Sequence, residues 1–324
     1  MRLIFALFIV AFATSAAAGW PIWTKKSGSV YSHSFQVASD PTVIKDGTTY
    51  RMVVSGYGGE SGDGNGLIMA QSTNGLAWTT LANGKSGVVV PSILGAWDES
   101  LELPELVKVG SEYLLFYSGY DPVANEASEG LAWGDLGLAT STDGRTFARL
   151  GAPVLTRTAN WYDQDGITDA TIVDVAGVLH MVYTGWCIQV CAQNGGEMAV
   201  YTLKATSTDK GRTWTKLGPL ESQIPGMHQD IVLDSDGGYS VFYGVDGACS
   251  ATRIGVMRAR GAHPFGPFVP DAKPIFCMGT QAFETDGFDG GFPAVINDGG
   301  VGRLYYTGVD WRNFKYRIGL AESR

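Results

Sequence analysis

Residues 39–56 read "SDPTVIKDGTTYRMVVSG", and the chain repeats the arrangement of this segment four more times. Two apolar runs, "PTVI" and "YRMVVSG", flank the polar turn "KDGTT", a pattern typical of a β-hairpin. Four later segments have the same two runs, and the second run of each copy closes on a glycine. The closing glycines are Gly56, Gly119, Gly185, Gly244 and Gly308, at intervals of 63, 66, 59 and 64 residues. A period of this length indicates a repeat architecture.

Each hairpin is followed by further short runs, so each repeat predicts a four-stranded unit. The third runs include "GLIMAQS", "LGLATS" and "TLKATS", and the fourth include "TFARL" and "TWTKL". Five such units predict an all-β fold, a five-bladed β-propeller with four-stranded blades, and a β-sandwich is the less specific alternative. The last repeat ends at Arg324 after three strands, and "PIWTKK" at residues 21–26 matches the fourth strand "RTWTKL". We therefore expect the N-terminal strand to close the ring, which removes an exposed sheet edge.

The N-terminal residues and the composition predict a secreted or periplasmic protein. Arg2, the apolar run "LIFALFIVAFA" and the small residues "SAAAG" form a signal-peptide pattern with a cleavage site after about Ala18. The expected organisation is a signal peptide at residues 1–18 and one propeller domain at residues 19–324. The net charge of −9, without a basic cluster, argues against nucleic acid and membranes as partners. In such a compartment the four cysteines predict disulfides, and three pairings are open: the residues are Cys187, Cys191, Cys249 and Cys277.

Acidic residues stand next to the first apolar run of several repeats, the run that would lie nearest the propeller axis. Asp40 precedes "PTVI" and Asp169 precedes "ATIV", whereas the second repeat has Glu102 and Glu105 on either side of Leu103–Pro104. The fourth repeat has "HQDIVL", with His228 two residues before Asp230. A second set of carboxylates lies upstream of the first runs, each directly after an aromatic residue: Asp98, Asp163 and Asp289. Tryptophans that could stack on sugars occur in the connecting loops: Trp97, Trp161, Trp186 and Trp311. We expect these groups to converge on a central funnel.

Converging carboxylates repel one another, so some must have raised pKa values or bind a cation. Glycosidic cleavage requires this arrangement, with one carboxyl kept protonated as the acid and another ionised as base or nucleophile. No cofactor is expected to be required, although clustered carboxylates would also suit a calcium ion on the axis. The alternative for any single aspartate is a structural turn residue, and the departures from strict repetition, Glu102 and His228, argue more strongly for a site than the repeats do.

The repeats "SDPTVIKDGTTYRMVVSG", "LPELVKVGSEYLLFYSG" and "TDATIVDVAGVLHMVYTG" resemble the first three blades of the five-bladed propeller glycoside hydrolases of families 43 and 32. In family 43 the resemblance implies that Asp40 is the general base and that Asp169 tunes and orients the acid. That family's acid is a glutamate opening blade four, where this chain has His228. The family 32 acid lies in an E-C-P motif that "ELPEL" imitates. The candidates for the acid are therefore Glu102, ranked first, then Glu105 and His228.

The function predicted from the resemblance is a secreted glycoside hydrolase that cleaves furanosidic (arabinofuranosyl- or fructosyl-type) or related bonds of an oligo- or polysaccharide. Both retaining and inverting chemistry are compatible with the sequence. A non-catalytic, lectin-like carbohydrate-binding propeller is the main alternative. The Asp-box-like turn "STDKGRTW" (207–214) also occurs in sialidases, but scattered arginines such as Arg51, Arg157 and Arg253 do not indicate the arginine triad that sialidases need.

Overall fold

The computed structural model is an all-β propeller. It describes residues 20, 22–58, 65–83, 86–123, 134–188, 191–224, 227–251, 253–284 and 291–323. The expected signal peptide, residues 1–18, lies outside the described residues. In the described part of the chain, 22 strands form five antiparallel sheets, accompanied by one 3-10 helix, Ala192–Asn194. No described helix is long and apolar enough to span a bilayer.

The first three blades follow the chain in order, and each is built from the axis outward. The strands of blade one are β2 (Val37–Asp46), β3 (Thr49–Tyr57), β4 (Gly66–Ser72) and β5 (Thr79–Thr80), with β6 (Val88–Pro91) extending the sheet beside β4. Blade two contains β7 (Ser100–Val109), β8 (Glu112–Tyr120), β9 (Asp135–Ser141) and β10 (Ala148–Arg149). Blade three contains β11 (Gly166–Val175), β12 (Val178–Cys187), β13 (Ala199–Ser207) and β14 (Thr215–Pro219).

The last two blades complete the ring. Blade four contains β15 (Met227–Leu233), β16 (Tyr239–Ser250), β17 (Arg253–Gly261) and β18 (Val269–Pro270), with β19 (Phe276–Cys277) also paired with β17. Blade five contains β20 (Ala294–Asp298), β21 (Val301–Asp310), β22 (Lys315–Ser323) and the N-terminal β1 (Trp23–Lys25). The first strands of consecutive blades contact one another around the ring, and they therefore surround the axis.

The N-terminal strand closes the propeller, as the sequence predicts. Strand β1 pairs antiparallel with β22, with Trp23 opposite Ser323 and Lys25 opposite Ala321. Lys25 also forms a nearly buried ion pair of 2.8 Å with Glu284, which precedes the last blade. Blade five thus combines the two ends of the chain, so that β1 covers the edge that β22 would otherwise expose.

Five hydrophobic clusters lie between neighbouring blades and hold the ring together. In β3, for example, Val53 packs towards blade two and Val54 towards blade five, because successive strand residues face opposite sides of the sheet. Phe116 and Tyr117 of β8 likewise enter different clusters. The second strands are therefore buried on both faces, which explains their continuous apolar runs in the sequence.

Two disulfides join the four cysteines, each within one blade. Cys187 is paired with Cys191 at a Cα–Cα distance of 5.3 Å, and Cys249 is paired with Cys277 at 5.8 Å. This is one of the three pairings that the sequence left open. The Cys187–Cys191 bond joins the last residue of β12 to the loop that follows it, and the Cys249–Cys277 bond joins the end of β16 to β19.

Candidate active site

The innermost strands of blades one to four each contain a β-bulge at the same place. Pairing with the second strand shifts between Ser39 and Thr42 in blade one, and equivalent shifts occur in the next three blades. At each bulge one residue other than glycine has a left-handed backbone. These residues are Asp40, Leu103, Asp169 and His228, with φ of 53°, 53°, 51° and 58°. Strained backbone of this kind is concentrated at functional sites, and here it brings four side chains to one level around the axis.

Asp169 and His228 form a close pair at this level. The Nδ1 atom of His228 lies 2.5 Å from Oδ1 of Asp169, and the hydroxyl of Thr168 donates to Oδ2 of Asp169 at 2.8 Å. Burial disfavours both charged forms, but their mutual attraction outweighs it. The pKa of Asp169 is therefore lowered and the pKa of His228 is raised. The ring of His228 also lies against Phe292 with centroids 3.7 Å apart, so its orientation is fixed on two sides.

Asp40 occupies the equivalent position in blade one. Its backbone N–H donates to Thr307 Oγ1 of blade five at 3.0 Å, and the hydroxyl of Ser39 donates to its Oδ2 at 3.1 Å. Burial raises the pKa of Asp40, although the charge of His228 opposes that shift. A carboxylate with a raised pKa is a stronger base than an ordinary one, as long as the pH keeps it ionised.

Glu102 lies one residue before the left-handed residue of blade two, beside the level of Asp40 and His228. The hydroxyl of Tyr120 donates to its Oε1 at 3.0 Å. Burial and the nearby charge of Asp40 raise the pKa of Glu102 to about 7, against the effect of the tyrosine donor. Glu102 is therefore protonated in a large part of the molecules near neutral pH.

These groups line a cavity of about 430 Å³ at the propeller axis. Its described lining includes four ionisable groups, Asp40, Glu102, Asp169 and His228, and four aromatic residues, Tyr57, Trp186, Phe292 and Tyr316. Except for Trp186, these aromatic residues are absent from our sequence-based list of site residues. A signal for Tyr57 was nevertheless available, because the residue after the closing glycine is aromatic in the first three repeats: Tyr57, Tyr120 and Trp186.

The closing glycines themselves are required by close packing. A Cβ atom at Gly119 would lie 2.5 Å from the Cβ atom of Asp98, and one at Gly56 would lie 2.2 Å from Ile68. In blade four the repeat is displaced by one residue. Gly244 pairs with Met227 as Ser55 pairs with Ser39, so Gly244 takes the place of a hydroxyl residue rather than that of a closing glycine.

Glu105 and Asp230 form a second level on the axis, each two residues after the left-handed residue of its blade. Glu105 accepts hydrogen bonds from Thr42 Oγ1 of blade one at 3.0 Å and from the Ile172 N–H of blade three at 2.9 Å. Asp230 accepts from Thr171 Oγ1 of blade three at 3.1 Å and from the Val295 N–H of blade five at 2.5 Å. We call these two residues the axial carboxyl clasp, because together they connect all five blades.

Both residues of the axial carboxyl clasp belong to the site that the sequence predicts. Glu105, predicted as a candidate acid, and Asp230, predicted to bind substrate, use their oxygens to hold neighbouring blades. Burial raises the pKa of Asp230 to about 7. Burial, together with the charge of Asp230, raises the pKa of Glu105 well above its ordinary range. Within the described residues no three acidic, histidine or cysteine side chains form a group that could hold a metal ion.

Asp98 and Asp163, both expected at the funnel, are buried at the outer strands and do not line the described cavity. Asp98 accepts a hydrogen bond from Tyr117 at 2.7 Å and pairs with Arg149 of β10. Asp163 accepts from Tyr183 at 3.2 Å and pairs with Lys216 of β14 at 2.5 Å. The same trio recurs where Glu284 contacts Tyr306 and Lys25 in blade five. These carboxylates fasten the outermost strand of a blade to its second strand.

Three of the four predicted tryptophans, Trp97, Trp186 and Trp311, have different environments. Trp186 belongs to strand β12 and lines the cavity. Trp97 lies outside the described lining, with its indole N–H donating to the Gly151 carbonyl at 3.1 Å. Trp311 packs on Phe314 and Tyr316 with centroids 5.0 and 6.2 Å apart, behind the tyrosine that reaches the cavity. Asp289 lies outside the described residues.

The fold and the cavity together define a five-bladed β-propeller with an acidic, aromatic-lined pocket on its axis. Residues 102–230 match the Glycosyl hydrolases family 32 N-terminal domain. This segment runs from Glu102 in blade two to Asp230 in blade four. No curated protein matches the sequence closely enough to count as a relative.

Solved structures of glycoside hydrolases share the fold at low sequence identity. One glycoside hydrolase has a TM-score of 0.69 at 17% identity, covering 94% of this protein and 92% of that one. A family 117 glycoside hydrolase of the marine bacterium Zobellia galactanivorans has a TM-score of 0.66 at 14% identity, covering 93% and 90%. The catalytic domain of the GH62 alpha-L-arabinofuranosidase of Coprinopsis cinerea has a TM-score of 0.61 at 12% identity, covering 94% and 97%. The family 32 match over residues 102–230 and the five-bladed propeller fold are what this chain shares with these glycoside hydrolases.

Proposed function

We propose that the protein hydrolyses glycosidic bonds with Asp40 as general base and His228 as general acid. The observation that carries this proposal is that three side chains at equivalent bulge positions meet in one cavity. Asp40, Asp169 and His228 come from equivalent left-handed positions of three blades and line one cavity. Glu102, ranked first as the acid from the sequence alone, stands one residue outside that level. We assign it to hydrogen bonding with sugar hydroxyls.

In the proposed reaction each proton has a defined origin and destination. Asp40 takes a proton from a water molecule whose oxygen attacks the anomeric carbon. As the bond between that carbon and the glycosidic oxygen breaks, His228 gives the leaving oxygen its Nε2 proton. Asp169 holds Nδ1 of His228 and stays ionised throughout, so the imidazolium is stabilised before the reaction. The products are the free sugar and the shortened alcohol, and this route inverts the anomeric centre.

The proposed substrate is an oligo- or polysaccharide. Its cleaved unit is an uncharged sugar, either at the end of the polymer or within it, linked through a furanosidic or related bond. Four aromatic side chains in the cavity offer apolar faces for a sugar ring, and the described lining contains no lysine or arginine to bind an anionic one. The arabinofuranosidase among the solved structures of similar fold supports the furanosidic assignment. The signal-peptide pattern and the two disulfides support secretion or a periplasmic location.

The test compares three variants on substrates that differ only in their leaving group. A screen with para-nitrophenyl furanosides and pyranosides first identifies a cleaved sugar. That sugar is then compared as a methyl glycoside, whose leaving alkoxide must be protonated, and as a 2,4-dinitrophenyl glycoside, whose leaving group needs no proton. We expect His228→Gln to be inactive on the first substrate and largely restored on the second, because only the acid becomes dispensable. Asp40→Asn should be inactive on both.

The outcomes separate the candidate acids. Restoration of Glu102→Gln rather than His228→Gln by the better leaving group would assign the acid to Glu102 and contradict our proposal. Binding of glycans by the wild-type protein without turnover of any substrate would favour the lectin-like alternative. The replacement of the family 43 glutamate by His228 is the observation that keeps this second function in consideration.

A further inference from the structure

Trp186 is connected to the proposed acid through a chain of hydrogen bonds. Its indole Nε1–H donates to Thr168 Oγ1 at 2.7 Å. Because a hydroxyl has a single proton, Thr168 can then donate in only one direction, and it donates to Asp169 Oδ2 at 2.8 Å. The other oxygen of Asp169 contacts His228 Nδ1 at 2.5 Å. Three consecutive hydrogen bonds thus lead from Trp186 to His228.

The backbone around this chain is held independently of it. The side-chain amide of Gln229 donates to the carbonyl of Asp169 and to Thr184 Oγ1, both at 3.2 Å. Trp186 itself pairs with Gly166 across β11 and β12, and the Cys187–Cys191 disulfide follows it directly. Loss of the indole N–H therefore removes one hydrogen bond from the chain without removing the support of the strands.

We propose that Trp186 is a positioning residue, whose indole N–H commits the Thr168 hydroxyl to Asp169 and so keeps Asp169 aligned on His228. The inference rests on the proposed function of His228. Trp186 also lines the cavity, so a sugar packed on its ring would restrain the indole and, through Thr168, the proton donor. Binding of the substrate and alignment of the acid are thereby coupled in one side chain.

The charged groups that face Asp169 determine how its misalignment would change the pKa values of Asp169 and His228. They are His228, Asp40 and Glu102, of which only His228 can balance the carboxylate charge. A donor to a carboxylate lowers its pKa and holds its orientation. Without the Thr168 donor, the ion pair of Asp169 and His228 weakens, so the pKa of Asp169 should rise and that of His228 should fall.

The test uses Trp186→Phe, which keeps an aromatic face but removes the donor, together with Thr168→Val and the conservative Thr168→Ser. Trp78→Phe is the matched control, because its indole donates to the Gly75 carbonyl at 3.2 Å in the rim turn of blade one. The first measurement is the titration of the His228 ring nitrogens by NMR, with His228→Gln for assignment, and it needs no substrate. The second is the pH dependence of kcat/KM on a cleaved glycoside.

We expect Trp186→Phe and Thr168→Val to lower the pKa of His228 and to reduce kcat/KM about tenfold, the effect of losing one hydrogen bond of about 1.4 kcal/mol. Thr168→Ser and Trp78→Phe should behave like the wild type. An unchanged His228 titration in Trp186→Phe and Thr168→Val would overturn the inference, even if activity fell. Absence of hydrolysis by the wild type would instead count against the proposed function, while the titration would still decide the role of Trp186.

Discussion

Removing the side chain of Glu105 should destabilise the propeller rather than act on catalysis alone. Glu105 accepts hydrogen bonds from Thr42 of blade one and from the Ile172 N–H of blade three, and Ile172 is buried. Glu105→Ala therefore loses two hydrogen bonds of about 1 kcal/mol each and leaves a buried N–H without its acceptor. We expect the free energy of unfolding to fall by about 2–3 kcal/mol, measured as a shift of the midpoint of urea unfolding.

Two further variants make this prediction sharp. Glu112→Ala is the matched control, since Glu112 also connects blades two and three, but through surface ion pairs with Lys210 and Arg212, and exposed pairs contribute about 0–1 kcal/mol. Glu105→Gln keeps an acceptor for Ile172 and should be stable. If the urea midpoint of Glu105→Ala were no lower than that of Glu112→Ala, the axial carboxyl clasp would not be holding the blades together.

The raised pKa of Glu105 also predicts how the stability of the protein changes with pH. Burial and the charge of Asp230 raise the pKa of Glu105 in the folded state. A carboxyl group with a raised folded-state pKa contributes stability that is fully present below its unfolded pKa, about 4.5, and that is lost as the pH rises through the folded value. Glu105→Gln cannot ionise. We therefore expect its stability relative to the wild type to increase between pH 5 and pH 8, and a constant difference would contradict the raised pKa.

Two other predictions concern the ring closure and the acid. Lys25→Met should lower the free energy of unfolding by about 3–5 kcal/mol, because it leaves the carboxylate of Glu284 buried without its cation. Chemical unfolding measures this loss, and a loss below about 1 kcal/mol would show that strand pairing alone closes the ring. Asp169→Asn should move the alkaline limb of the kcat/KM profile to lower pH, since His228 loses the charge that raises its pKa; an unmoved limb would mean that a group other than His228 sets it.

The fold could be predicted from the sequence because each repeat encodes its blade locally. The apolar runs and polar turns specify the hairpins, and the match between "PIWTKK" and "RTWTKL" predicts the closure that β1 and β22 make. Two strands were missed, β6 and β19. Both are short additions beside the third strands of their blades, and they lie outside the repeating pattern.

The site was predictable only in part, because its geometry depends on bulges and on distant partners. The place of Asp40 and Asp169 before the first strand of their blades predicts the funnel position, and both line the cavity. The bulge, however, separates Glu102 from Glu105 by one level, although both flank the same Leu103–Pro104 pair. Asp98 looked like a funnel residue because its true partner, Arg149, lies on the outer strand, far along the chain. Local sequence patterns carry no signal for such long-range ion pairs.

The most direct test of the central claim is a paired measurement on the wild type and Asp40→Asn, of hydrolysis and of ligand binding, with the glycoside found in the substrate screen. We expect the wild type to release the sugar and Asp40→Asn to lose at least about 1000-fold in kcat. Calorimetric binding of the intact glycoside should be retained, because the variant keeps the cavity but lacks the base. Comparable turnover by both proteins would contradict the claim that Asp40 acts as the base of a glycoside hydrolase site on the propeller axis.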